Sequence, residues 1–187
     1  MPETKCEYPC SLDLWANVVK AKHIACEVTV FESVFCVPLI EVGGIVENIE
    51  YIQARVISAH EEFGNNKVSL QIAFELILLV LVSNEPHIIT INHNYEQTIP
   101  VSDFCPPLTP MELRDDVSDS AIILNNWKFE WAILGRCDDS SSPCFTSLTT
   151  PVAGTCLSLT ATVDIIDKLF KPHDIIVYAE LDPDDSK

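Results

Sequence analysis

Residues 65–86 read NNKVSLQIAFELILLVLVSNEP. Val68, Leu70, Ile72, Phe74, Leu76, Leu78, Val80 and Val82 fall on one side of an extended chain. Ser69, Gln71, Ala73 and Glu75 fall on the other, until Ile77, Leu79 and Leu81 make both sides apolar. Period-two alternation marks a half-buried strand, and a run apolar on both sides suits a strand packed on two faces. Ala73 to Leu81 contains good helix formers, but the alternation and the turn signals at Gly64-Asn65-Asn66 and Ser83-Asn84-Glu85-Pro86 favour a strand. At about 15 residues, with Gln71 and Glu75 inside it, the run is too short for a spanning helix, which needs roughly 20. The flanking runs Ile49–Ser58 and His87–Ile99 are rich in β-branched residues, so the expectation is an antiparallel meander of three strands.

Working outward, Trp15 to Pro38 reads as an earlier β segment, with EVTVFESVFCV (27–37) at its heart, and Gly43-Gly44 breaks the chain before the meander. Cys105-Pro106-Pro107 closes the meander. The Pro-rich, acidic stretch that follows, LTPMELRDDVSD (108–119), reads as a crossover from one sheet to another. Beyond it lie three strand-like runs, Ala121–Leu134, Thr155–Ile166 and Asp174–Leu181. Trp127, Phe129, Trp131 and Ile133 alternate with polar neighbours, as do Leu157, Leu159, Ala161, Val163 and Ile165. The expected fold is an all-β antiparallel sandwich, jelly-roll-like, of about seven or eight strands. Residues 1–15 form an extended arm, 16–182 the single domain with its crossover at 105–119, and 183–187 an acidic tail.

The chain has 187 residues and is 48% hydrophobic, enough for a real core. A net charge of −17 repels nucleic acid and anionic lipid, so neither is an expected partner. The same charge keeps an apolar β protein soluble before assembly. Eight cysteines are dense for an intracellular chain. Yet MPETKCEYPCSLDLW has no basic start and no apolar core, so it is not read as a secretory signal. Synthesis in a cytoplasm followed by later oxidation reconciles the two.

Cys6 and Cys10 lie on the arm, which is either a loose terminus or a connector cross-linked to a neighbouring subunit. Cys137 and Cys144 enclose the polar interval DDSSSP and are the candidates for a local intrachain disulfide, the alternative being a loop with two available thiols. Cys26, Cys36, Cys105 and Cys156 read as further structural cysteines. Cys26 and Cys36 stand roughly 30 Å apart along a strand, so each needs a partner on a neighbouring strand.

No motif for catalysis appears: neither Gly-x-Ser-x-Gly nor a phosphate-binding loop is present, and the chain has only five glycines. His60-Glu61-Glu62 reads as a solvated hairpin tip, His23 and His173 as isolated, and His87 and His93 as far apart on one strand face. Without a Cys-x2-Cys pair a zinc site is not expected. Asp115-Asp116, Asp138-Asp139 and Asp182/Asp184/Asp185 read as solvated charge, not calcium loops. The expectation is a protein without catalytic residues, metal or cofactor.

The order of features in 48–104 also resembles a family. An Ile-Glu-Tyr-Ile start at 49–52, the GNNKV turn, the long hydrophobic strand begun by Lys67-Val68, a polar hairpin and the exit Ile99-Pro100-Val101-Ser102-Asp103-Phe104 are similar to the SPOCS domain of spore-forming Firmicutes. Where that family carries a glycine in the central strand, this chain reads LQIAFEL. The resemblance covers about a third of the chain and implies a spore coat or spore-surface role, with no catalytic residue to carry over. It implies synthesis in the mother-cell cytoplasm and self-assembly into a surface fibre or coat layer, with Cys6 and Cys10 joining subunits. The alternative it leaves open is a non-polymerising adaptor that recruits other spore coat proteins.

Overall fold

A computed structural model of the chain describes residues 11–145 and 152–178. Six long strands dominate it: β1 (Ser11–Pro38), β2 (Val46–Phe63), β3 (Lys67–Val82), β4 (Glu85–Pro100), β5 (Asp119–Arg136) and β6 (Gly154–Tyr178). They form two antiparallel three-stranded sheets, β2-β3-β4 and β1-β6-β5. The first is the expected meander. The second inserts β6 between β1 and β5, so the order is not the interleaved one of a jelly roll. This is the expected all-β antiparallel sandwich, and the six strands among the described residues come close to the expected number. Thr155–Ile166 and the described part of Asp174–Leu181 join in one strand, β6, which runs as far as Tyr178. Pro172 does not interrupt it, because β5 begins opposite Phe170 and beyond that point, among the described residues, β6 pairs with β1 alone. A proline, which lacks the N–H, is tolerated where a strand is paired on one side. Residues 11–18 and 171–178 thus leave the sheet as a two-stranded ribbon, which places 11–15, expected in the arm, within β1. Residues 1–10 and 183–187 lie outside the described residues.

The core forms between the central strands. The alternate residues of β3 from Val68 to Val82 are all buried: those from Leu70 onward share one core cluster with Leu157, Leu159, Ala161, Val163 and Ile165 of β6, and Val68 joins a second one with Leu169. Burial of this apolar surface, worth roughly 25 cal/mol per Å2, is the main force holding sheet to sheet. The outer side of β3 is different from expectation. Ile77, Leu79 and Leu81 are half-buried, and their neighbours Tyr51 and Ile88 are 59% and 70% exposed. Among the described residues nothing stacks on this face.

The crossover closes one end of the sandwich. Lys22 and Cys105 exchange backbone hydrogen bonds at 3.0 and 2.7 Å, which ties it to β1. A short helix, α1, occupies Leu39–Val42 between β1 and β2. A second, α2 (Pro110–Asp115), starts with a capping box: Thr109 Oγ1 accepts from the Glu112 N–H, and the Glu112 carboxylate accepts from the Thr109 N–H. Phe104, Leu108 and Leu113 then bury themselves against Ala21, Val68, Ile99 and Leu169, which come from strands of both sheets. Lys20 bridges Glu112 (3.0 Å) and Asp116 (3.1 Å), and Lys171 reaches Asp116 at 3.1 Å.

Candidate functional site

At the opposite end of β6, four cysteines converge. Antiparallel pairing sets Cys36 of β1 directly across from Cys156 of β6, and Gly135 of β5 across from Cys156 on the other side. Gly135 has φ +113°, a conformation that favours glycine, and Cys137 follows it with its N–H donating to the Gly154 carbonyl at 3.0 Å. Two disulfides result, Cys36–Cys137 and Cys144–Cys156, each with Cα atoms 5.9 Å apart. Cys137, Cys144 and Cys156 are buried together.

The local Cys137–Cys144 disulfide is therefore corrected. The interval between the two is occupied by turns, with Ser142 N–H donating to Asp139 O at 2.9 Å and Phe145 N–H to Ser142 O at 3.0 Å. Each cysteine then finds a nearer partner on a strand. The Cys36–Cys137 bond joins the two outer strands of the sheet across the central one. It does so beside Gly154, where an added Cβ would lie 2.8 Å from Cys36 Sγ and collide with the Val37 carbonyl. Pairing of this kind has no signature in sequence spacing, since the bond spans 101 positions.

Cys26 and Cys105, expected to be structural, instead carry free, exposed thiols. Cys105 sits on backbone pinned to Lys22. Cys26 adjoins Glu27, whose φ of +53° belongs to a bulge in β1 that faces a second bulge in β5 at Asn126, φ +55°. Asp164 of β6 holds both bulges, accepting from the Glu27 N–H and from Asn126 Nδ2, each at 2.8 Å. These hydrogen bonds, that of Asn126 above all, keep the Asp164 carboxyl below its usual range. Lys128 completes the group by pairing with Glu27. Cys6 and Cys10 lie outside the described residues.

The surface acids pair with cations or turns: Asp138 with Arg136 at 3.0 Å, Asp115 with Arg114 at 2.7 Å, and Asp139 with the Ser141 N–H at 2.9 Å. Asp182, Asp184 and Asp185 fall outside the described residues. His93, half-buried, packs edge-on against Phe31 and Phe74. The reading of 60–62 as a solvated tip fails at Glu61. His60 and Glu62 are exposed, but the Glu61 carboxyl oxygens are buried. The cause is a bulge at Ile57, which shifts the parity of β2 so that Glu61 turns inward beside Leu70. It meets Asp167 of β6, which is fully buried.

A family model described as "Domain of unknown function (DUF8305)" matches residues 82–182. The chain belongs to this family. The DUF8305 match spans β4, the crossover, β5 and β6, so it draws on both sheets and contains Cys105, Cys137, Cys144 and Cys156. β1, β2 and nearly all of β3 precede it. No curated protein and no solved structure matches the chain. Among the described residues, no helix is long and apolar enough to cross a membrane.

Proposed function

We propose that this DUF8305 protein is a structural subunit that self-assembles into a spore-surface fibre or coat layer, its subunits joined by disulfides through the N-terminal arm. The observation that supports the reading is the division of the cysteines. Four are consumed in stapling one end of the sandwich, while Cys26, in the β1 bulge, and Cys105, on backbone paired with Lys22, carry exposed free thiols. A thiol of Cys6 or Cys10 in one subunit joins such a surface thiol in the next. Two S–H bonds break, one S–S bond forms, and dioxygen or a disulfide donor takes up the two electrons and two protons. The SPOCS-like order of 48–104 supplies the spore setting. Catalysis has no part in this reading.

One observation favours the adaptor reading instead. The outer face of β2-β3-β4 presents Tyr51, Ile77, Leu79, Leu81 and Ile88 as a connected apolar patch, of the kind that marks protein contact. Peptide mapping of non-reduced assemblies decides between them. Intersubunit peptides linking Cys6 or Cys10 to a second copy support the polymer. Cys6 and Cys10 recovered as free thiols from intact assemblies contradict it.

A further inference from the structure

The inside of the sandwich holds a polar group that neither the stapling nor the assembly reading uses. Asp167 stands in the buried register of β6, between Ile165 and Leu169, and is 0% exposed. Glu61 reaches it from β2, across the gap between the sheets. Written as carboxylates, all four oxygens are buried and, among the described residues, none makes a hydrogen bond of normal geometry, although the Ser120 hydroxyl is near enough to favour the charged form of Glu61. Two buried carboxylates in contact repel each other and are poorly solvated, a strongly unfavourable arrangement. One proton between them removes both faults, because a protonated carboxyl donates to its neighbour.

We propose that Glu61 and Asp167 share one proton and so latch the two sheets together, and that losing this proton loosens the end of the sandwich under the crossover. Burial, then the charge of Glu61, pushes the Asp167 carboxyl up to about 8, and burial raises Glu61 as well. Among the described residues, the surroundings offer no cation to replace the proton. From β1, His23 stands opposite Asp167 in register, and burial lowers its pKa, which keeps it neutral, against the opposing field of Asp103. From β5, Asp119 adds a further negative charge near Glu61, and the Ser120 hydroxyl pulls Glu61 the other way. Lys22, Lys168, His60 and Glu62 neighbour these groups in sequence but alternate to the opposite faces of their strands. The latch works alike in a monomer or a polymer.

The folded pair binds a proton that the unfolded chain gives up near pH 4, so stability falls as pH rises from there through about 8. Thermal melting of the full chain between pH 7 and pH 9 tests this. The wild type is expected to lose several degrees, and Asp167→Asn, neutral at every pH, to lose the dependence. Parallel curves for the two proteins overturn the proposal. If Asp167→Asn does not fold, Glu61→Gln serves in its place. Infrared spectroscopy of the wild type gives an independent reading: a protonated carboxylic acid band present at pH 7 and gone by pH 9 supports the shared proton, and its absence at pH 7 overturns it. Melting with and without a chelator, and with added calcium or zinc, completes the test. A chelator-sensitive melting point in the wild type that Asp167→Asn abolishes means the carboxyls hold a cation, and the proton is displaced from the account.

Discussion

Gly154 shows how one residue can decide a covalent link. It lies where Cys36 and Cys137 join across β6, and no side chain fits between Cys36 Sγ and the Val37 carbonyl. Gly154→Ala is expected to cost about 1–3 kcal/mol by overpacking, read from urea unfolding, and to leave a fraction of Cys36 reactive to a thiol label. Unchanged stability with Cys36 fully oxidised contradicts the close approach. Glu112 acts at the same scale. The Thr109 backbone N–H, then Lys20 and the Thr109 hydroxyl, draw its carboxyl down to about 2. Its folded pKa is depressed, so its contribution is present above the usual carboxylate range and disappears as pH falls through about 2. Nuclear magnetic resonance titration of the Glu112 side chain is expected to show its midpoint well below those of other glutamates, and to move upward in Thr109→Ala.

At the scale of elements, β3 carries the fold because every second side chain is buried in the core between the sheets. Phe74→Ala removes a fully buried ring and is expected to cost about 3–5 kcal/mol in chemical denaturation. The two disulfides differ in the loop they close. Loop entropy assigns about 4.7 kcal/mol to the long-range Cys36–Cys137 bond and about 3 kcal/mol to Cys144–Cys156. Paired serine substitutions should therefore destabilise in that order, and the reverse order would show that strain outweighs entropy here. The same elements explain what the sequence could reveal. β3, β4 and the turns around them were legible because strict alternation and turn residues are local signals. The continuity of β6 was not legible, because the charged and proline-containing stretch between Ile166 and Asp174 breaks the alternation, and only its pairing with β1 shows that the strand continues through Pro172. Glu61 was hidden by the bulge at Ile57, which reverses the parity a reader counts by. Asp167 was missed as well, because the strand was read only to Ile166, one residue short of the acid that interrupts the apolar face between Ile165 and Leu169. The pairing of Cys36 with Cys137 was not, because only tertiary structure brings β1 and β5 to the same β6.

The whole molecule is a stapled sandwich with a net charge of −17, an apolar outer patch and surface thiols at Cys26 and Cys105. Such charge opposes association at low salt, so contact between copies depends on the patch, on covalent links, or on both. Replacing Tyr51 and Ile88 with serine is expected to slow assembly while leaving the melting temperature near that of the wild type, because both side chains are mostly exposed. Sedimentation of the variant against the wild type checks this. Negative-stain microscopy of the purified protein, before and after reductant, tests the central claim most directly. Ordered fibres or sheets that survive denaturant without reductant and fall apart with it are the predicted result. A uniform monomer in both conditions contradicts a disulfide-joined polymer and directs the search to a partner for the β2-β3-β4 face.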